Sequence, residues 1–153
     1  MHPCHHAQTF PDKPAIVMTG SGETVTYRQL DDASNRIAQL FRAHGLKTGD
    51  HIAILIENHP RFYEVCFGAQ RSGIIYTAIS TRLTAAEVAY IVQDCGARLL
   101  VTSRAMAPVA SEVLPLSPQL GLRFMLDGTI PGYESWEAEV AKFPATRIGD
   151  EYA

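Results

Sequence analysis

The stretch that decides the fold runs from Gly49 to Ser103 and reads GDHIAILIENHPRFYEVCFGAQRSGIIYTAISTRLTAAEVAYIVQDCGARLLVTS. It holds three short apolar runs, at residues 52–56, 74–79 and 99–102, which are rich in β-branched side chains. Runs of this length fit a buried strand and are too short for a buried helix. We therefore predict three parallel strands.

The two segments between these runs have the period of an amphipathic helix. The first opens at Pro60, where the missing N–H costs little, and stops at Gly73. The second begins with a capping box of Thr84 and Glu87 and ends at Gly96. One face of each segment is apolar: Phe62, Val65, Cys66 and Ala69 in the first, and Ala85, Val88, Ile91 and Val92 in the second. The whole stretch is predicted to fold as βαβαβ.

Upstream, residues 15–18 and 24–27 predict two strands joined by a Gly-Ser-Gly turn at 20–22, which is a hairpin. A dinucleotide-binding glycine loop is the alternative. It fits poorly, because Val25 occupies the third glycine position and the helix starts only after a further extended run.

The next segment predicts a helix with a capping box of Thr26 and Gln29 and a left-handed stop at Gly45. On or near the side opposite its apolar face lie charged side chains that we expect to form a solvated face: Arg28, Asp31, Asp32, Arg36 and Arg42. Neighbouring helical residues point about 100° apart, so Asp31 and Asp32 are a poor acid/base pair.

Beyond Ser103 the pattern is looser. Residues 106–114 predict a short helix ended by Pro115, and residues 122–126 a fourth strand. Aromatic and apolar residues then follow at near-helical spacing up to a stop at Pro144, and they indicate packing rather than a ligand box: Tyr133, Trp136, Val140 and Phe143. Residues 145–153 have no periodicity and predict a linker.

Composition is typical of a globular α/β chain. The 153 residues are 46% apolar and 19% charged, and the net charge of −3 with scattered arginines gives no reason to expect nucleic acid. No apolar run reaches the roughly 20 residues that span a bilayer, and the N-terminus lacks a signal-peptide core. The odd number of cysteines, Cys4, Cys66 and Cys95, indicates reduced thiols and a cytoplasmic location.

The N-terminus raises a metal hypothesis, since His2, Cys4, His5 and His6 lie close together in sequence. Their spacing matches no structural zinc pattern, and no second ligand pair follows. A mobile terminus is the simpler interpretation, so no metal ligand is predicted.

Several short motifs follow one another in a recognisable order: Gly49-Asp50, Glu57-Asn58-His59-Pro60, Gly73, YTAISTRLTAAEVAYIV and Cys95-Gly96-Ala97. Upstream the order continues through Thr26-Tyr27, Asn35-Arg36 and Gly45. Over residues 5–126 the chain resembles the N-terminal part of the AMP-forming acyl-CoA synthetases, members of the adenylate-forming superfamily.

The expected fold class is α/β: a three-layer α/β/α arrangement with a mainly parallel sheet and an N-terminal hairpin, forming part of an N-terminal domain. The expected division is a polar segment at residues 1–14, an α/β subdomain at 15–126, and a helix with a linker at 127–153. We expect self-association, because a partial domain leaves a sheet edge and apolar surface exposed.

The resemblance implies an acid–CoA ligase that uses ATP, Mg²⁺ and coenzyme A, and we expect a fatty acid as its substrate. In that family the phosphate-binding loop, the adenosine-binding residues and the catalytic lysine come later in the chain. None of these motifs occurs in the 153 residues, so no catalytic residue is predicted and the piece alone is expected to be inactive. The alternative is a stand-alone α/β binding or interaction module derived from such a ligase.

One cofactor-binding residue is predicted. Residues 76–79 end a parallel strand, the edge where open α/β sheets place their ligands. Arg82 follows, just before the capped helix start, and the resemblance implies that it contacts the coenzyme A nucleotide phosphates. A solvated arginine paired with Glu87 is the alternative. Ser80 stands where the family often has asparagine.

Overall fold

The computed structural model describes residues 2–152 and has an α/β fold. The helices are α1 (Cys4–Thr9), α2 (Tyr27–Ala43), α3 (Pro60–Arg71), α4 (Ala85–Asp94), α5 (Ala107–Leu116) and α6 (Trp136–Val140). The strands are β1 (Pro14–Val17), β2 (Thr24–Thr26), β3 (His51–Leu55), β4 (Ile75–Ala78), β5 (Leu99–Ser103), β6 (Leu122–Leu126) and β7 (Glu134–Ser135).

The chain divides into two compact units. The helical unit contains the chain up to Thr48, Asn58–Gly73 and the chain from Ala141 onward. The sheet unit contains Gly49–Glu57 and Ile74–Val140. The domain boundaries predicted from the sequence, at residues 14 and 126, stay a prediction.

The sheet unit is built on five strands in the order β4-β3-β5-β6-β7, and every neighbouring pair is parallel. Ile52 of β3 lies beside Tyr76 on one side and Leu99 on the other. The three parallel strands predicted from residues 49–103 and the fourth at 122–126 are therefore confirmed, while the short strand β7 was not foreseen.

Both faces of the inner strands β3 and β5 are buried. On one face α4 and α5 pack on side chains of the strands, in a core that includes Ala53, Leu55, Val88, Val92, Leu100, Ala110, Val113 and Met125. The alternate residues of the same strands, Ile52, Ile54, Leu99 and Val101, have no exposed surface either. Burial on both sides explains why the strands are nearly continuous apolar runs. Helix α4 begins at the predicted capping box of Thr84 and Glu87.

In the helical unit, β1 and β2 form the predicted antiparallel hairpin. Helix α2 starts from the capping box of Thr26 and Gln29 and packs on α3. The contact is close at Gly68, where an added Cβ would lie 2.4 Å from Cγ2 of Ile37. Gly45 and Gly73, the predicted helix stops, both have positive φ, at 73° and 64°.

Three sequence predictions about local structure were wrong. The N-terminal segment contains a helix, α1, with a buried Cys4, where a mobile terminus was the simpler interpretation. Helix α5 continues through Pro115 to Leu116, because a proline in the last turn removes only one N–H. The aromatic residues after residue 132 do not lie on one helix, because α6 covers only Trp136–Val140. Tyr133 lies before it, and its hydroxyl donates to the Ala110 carbonyl at 3.0 Å.

The solvated face predicted for α2 is also wrong for three of its five residues. Asp31 forms an ion pair with the buried Arg71, while Arg36 and Arg42 bind residues near the C-terminus. These partners are distant in sequence, so the helical pattern alone gives no sign of them. Asp32 and Arg28 are exposed, as expected. Within residues 2–152 no helix has both the length and the apolar character needed to cross a membrane.

Candidate functional site

The carboxyl ends of the parallel strands form a polar edge in the sheet unit. Ser103, the last residue of β5, is fully buried and its hydroxyl donates to the carboxylate of Glu57, which follows β3. Next to it, Thr102 Oγ1 donates to the Leu55 carbonyl at 2.8 Å. Because ligands of open α/β sheets bind beside the strands' carboxyl ends, this edge is the candidate site.

Arg82 lies at the same edge, in the turn between β4 and α4. The turn closes with a hydrogen bond of 3.4 Å from the Leu83 N–H to the Ser80 carbonyl, and the Ser80 hydroxyl accepts from the Arg82 N–H at 3.4 Å. The side chain of Arg82 is exposed. Ser80, where the family often has asparagine, therefore has a structural role in the turn.

Glu87, the alternative partner of Arg82, is engaged elsewhere. Its Oε2 accepts from both the N–H and the hydroxyl of Thr84, each at 2.8 Å. These hydrogen bonds lower the pKa of Glu87 below its ordinary value. Within residues 2–152 the guanidinium of Arg82 has no hydrogen bond or ion pair, so it is available at the N-terminal end of α4.

The loops after β5 and β6 complete the edge. Arg104 Nη1 donates to the Thr129 carbonyl at 3.0 Å, and the Asp127 N–H donates to Glu137 at 2.9 Å. From the sequence, Glu57 was noted only as part of a motif that carries the resemblance, and no functional role was predicted for Glu57, Ser103 or Arg104. Each of them comes at or directly after the end of a predicted strand, and that position is the signal that could have found them.

At the N-terminus, the structure brings together His2, Cys4 and Asp31, whose potential ligand atoms lie within 4.8 Å of one another. Of the other two residues in the metal hypothesis, His5 is exposed and the ring of His6 lies 5.0 Å from that of Tyr27. Asp31 was not part of the metal hypothesis.

The guanidinium of Arg71 supplies a positive charge beside this cluster. Arg71 is 1% exposed, and its Nη2 lies 2.5 Å from Asp31. Burial lowers the pKa of His2, and the nearby charge of Arg71 lowers it further. The hydrogen bond between His2 Nε2 and the Phe67 carbonyl acts in the opposite direction. Mg²⁺ prefers oxygen ligands, and the one carboxylate here is paired with Arg71. These residues therefore do not fit the Mg²⁺ that the resemblance implies.

The helical unit also contains a cavity of about 520 Å³ that the sequence analysis did not foresee. It lies between the hairpin and helices α1, α2 and α3, and Ile16, Tyr27, Tyr63 and Phe67 are among the residues that line it. Val17 and Tyr63 are exposed at 58% and 50%. The cavity belongs to the helical unit and is not part of the polar edge.

The C-terminal segment, residues 143–152, is held in the helical unit by side chains of α2. Arg36 donates to the Phe143 carbonyl, Gln39 to the carbonyls of Thr146 and Arg147, and Arg42 to Asp150. Residues 145–152 of this segment, which fall in the linker predicted at 145–153, thus have a defined path along α2.

Comparisons with known proteins agree with the geometry. The family model described as "AMP-binding enzyme" matches residues 4–146. A fatty acid–[acyl-carrier-protein] ligase of Streptomyces coeruleorubidus is 42% identical over 113 residues, which are 74% of this chain and 21% of that protein. A crotonobetaine/carnitine–CoA ligase of Proteus mirabilis is 31% identical over 148 residues, or 92% of this chain and 29% of that protein.

A solved structure shows the same fold. The fatty acyl CoA synthetase of Mycobacterium tuberculosis superposes with a TM-score of 0.85 at 25% identity, covering 98% of this chain and 29% of that one. The chain belongs to the AMP-binding enzyme family, and the two relatives named above are a ligase to an acyl carrier protein and a ligase to coenzyme A. It spans only about a fifth to a third of the length of these relatives. The predicted family and α/β fold class, with a parallel sheet and an N-terminal hairpin, are confirmed.

Proposed function

We propose that this chain is the N-terminal part of an ATP-dependent acid–CoA ligase that acts on a fatty acid. The observation that carries the proposal is the family match over residues 4–146. The named substrate of the Streptomyces relative, a fatty acid, supports the choice of acid. The complete protein would use ATP, Mg²⁺ and coenzyme A in the cytoplasm.

The reaction has two steps. A carboxylate oxygen attacks the α-phosphorus of ATP, and the bond to the leaving pyrophosphate breaks, which gives an acyl-adenylate. The thiol sulfur then attacks the acyl carbonyl, loses its proton and displaces AMP. Mg²⁺ would neutralise phosphate charge in the first step, through residues outside this chain. The polar edge of the sheet unit would contribute a wall of the cleft and no reacting group.

Within that wall we assign Arg82 to the nucleotide phosphates of coenzyme A. Its guanidinium is exposed, has no partner within the described part of the chain and lies near the N-terminal end of α4, where anions are favoured. A charge-assisted contact of this kind contributes roughly 1.5–3 kcal/mol. The residues 1–153 by themselves should be inactive, and their exposed sheet edge should cause self-association.

A second candidate differs in the thiol. The Streptomyces relative is named for an acyl carrier protein, so this chain could belong to a ligase that loads a carrier protein instead of coenzyme A. The carrier's phosphopantetheine arm lacks the adenine nucleotide, and Arg82 would then have no phosphates of coenzyme A to bind. The third candidate, a stand-alone module, predicts no ligase activity in any form of the protein.

The experiment is acid-dependent ATP–pyrophosphate exchange with the complete protein, followed by product analysis with either thiol. Exchange with fatty acids and formation of acyl-CoA would support the first candidate. Exchange with transfer only to a carrier protein would favour the second. Absence of exchange with every acid would favour a module without ligase activity.

A further inference from the structure

Helix α2 carries a polar stripe, defined here as Arg36, Gln39 and Arg42. Residues three apart are neighbours on a helix surface, so the three side chains point to the same side. They bind the C-terminal segment in the same order along the chain: Phe143 first, then Thr146 and Arg147, then Asp150. The segment therefore runs along α2 in the direction of the helix.

Three of these bonds go to backbone oxygens. Gln39 Nε2 lies 2.9 Å from the Thr146 carbonyl and 3.2 Å from that of Arg147. Contacts to carbonyl groups fix the path of the chain whatever its side chains are. Ile148 of the segment is also buried, with 7% of its surface exposed.

Arg42 connects the stripe to the rest of the helical unit. Its Nη1 donates to the Leu46 carbonyl at 3.1 Å, and its Nη2 to the Ser72 carbonyl, just after α3, at 2.9 Å. Its Nε lies 3.1 and 3.0 Å from the two carboxylate oxygens of Asp150. One side chain, 18% exposed, thus joins α2, the end of α3 and the C-terminal segment.

The last described residues are held by the end of α3. The Tyr152 N–H donates to the Arg71 carbonyl at 2.7 Å, and Arg71 Nη1 lies 3.4 Å from Glu151. Arg71 cannot easily turn away, because its other branch is paired with Asp31. The path of the segment is therefore defined as far as Tyr152.

We propose that the polar stripe and Arg71 are positioning residues for adenylation. This inference rests on the proposed function and on the resemblance, which implies that the phosphate-binding loop comes later in the complete protein. A loop that holds reacting phosphates must start from a fixed point, since a displacement of about 1 Å can cost a factor of 100 in rate. The stripe provides that point through its bonds to the backbone carbonyls of the C-terminal segment.

The first test measures the attachment itself in the complete protein. Asp150→Ala removes the Arg42 contact and leaves the Arg42 bonds to Leu46 and Ser72 in place. Hydrogen–deuterium exchange of the backbone amides of residues 146–152 should become roughly two- to fivefold faster. Asp94→Ala, the same change at an exposed position in α4, should leave the rate unchanged. Equal exchange in wild type and Asp150→Ala would overturn the proposal.

The second test separates positioning from structure. In the same protein, Asp150→Ala should lower kcat of acid-dependent ATP–pyrophosphate exchange roughly two- to fivefold, with thioester formation from pre-formed acyl-adenylate unchanged. Asp150→Glu should restore kcat. Faster amide exchange with unchanged adenylation would overturn the positioning role alone. A wild-type protein without any pyrophosphate exchange would overturn the proposed function, and the positioning role with it.

Discussion

The Nε–H of Arg42 in α2 is shared between the two carboxylate oxygens of Asp150 in the C-terminal segment, at 3.1 and 3.0 Å. The hydrogen bond from Arg42 holds the pKa of Asp150 below its ordinary value of 3.8. A carboxyl group with a depressed folded-state pKa contributes stability that is present above the unfolded pKa and is lost as the pH falls through the folded one.

The pH dependence of unfolding should show this contact. We expect the urea midpoint of Asp150→Ala to lie below that of wild type at pH 7, and the difference to shrink as the pH falls below 3.8. Asp94→Ala provides the matched comparison. A midpoint difference that is the same at pH 7 and in acid would show that the charge of Asp150 does not stabilise the segment.

Arg82→Ala tests the cofactor-binding residue in the complete enzyme. The apparent KM for coenzyme A should rise by a factor that corresponds to roughly 1.5–3 kcal/mol, because one charge-assisted phosphate contact is lost. Adenylation should stay nearly unchanged. Steady-state kinetics with coenzyme A and with dephospho-coenzyme A would show which phosphate is involved. If both half-reactions slowed equally, or if neither slowed, Arg82 would be a structural or solvated residue that does not bind coenzyme A.

Thr84→Ala should destabilise the protein by about 1 kcal/mol, because Thr84 caps α4 and fixes Glu87. Urea denaturation measures the change. Thr19→Ala, at an exposed position in the hairpin, is the control and should have little effect. If both substitutions had equal effects, the capping box would add nothing specific.

Gly68→Ala should destabilise the α2–α3 contact. The new Cβ would lie 2.4 Å from Cγ2 of Ile37, a residue with no exposed surface. Overpacking of this kind costs about 1–3 kcal/mol, against the gain of about 1 kcal/mol that alanine has over glycine in a helix. Gly121→Ala, where nothing lies within 4 Å, should be neutral. A stabilised Gly68→Ala protein would mean that the two helices separate easily.

Strand β4 should be the main cause of self-association in residues 1–153. It is an edge strand, and its Ile75 and Tyr76 are exposed at 49% and 42%. Edges of this type pair with other chains. In sedimentation velocity, Ile75→Lys should reduce association more than Leu116→Lys, which changes an equally exposed apolar residue on α5. A wild-type monomer at all concentrations would contradict the prediction.

Local rules were sufficient for most of the fold. Capping boxes at Thr26 and Thr84 and the glycine stops at 45 and 73 were visible in sequence because each depends on residues within one helical turn. The parallel strands could be predicted because burial on both faces leaves a continuous apolar run.

Long-range polar contacts could not be predicted. Arg36 and Arg42 have the same sequence pattern as solvated residues, yet each has a partner more than 100 positions away. The same holds for Arg71 and Asp31, which are 40 positions apart. Nothing local distinguishes a charged residue that faces water from one that holds a distant segment of the chain.

At the candidate site, the sequence pattern placed Arg82 at the carboxyl edge of the sheet, because this residue lies between a predicted strand end and a predicted helix cap. It did not reveal that Ser103 and Glu57 would bind each other, since that contact depends on which strands become neighbours. Whether Arg82 binds a phosphate stays a prediction.

The measurement that tests the central claim most directly follows oxygen atoms through the reaction of the complete protein. A fatty acid labelled with ¹⁸O in its carboxyl group is incubated with ATP and coenzyme A, and the nucleotide product is analysed by mass spectrometry. If the acid attacks the α-phosphorus, AMP carries one ¹⁸O atom and pyrophosphate carries none. Label in inorganic phosphate with ADP as the nucleotide product, or unlabelled AMP, would contradict the assignment of this chain to an AMP-forming acid–thiol ligase.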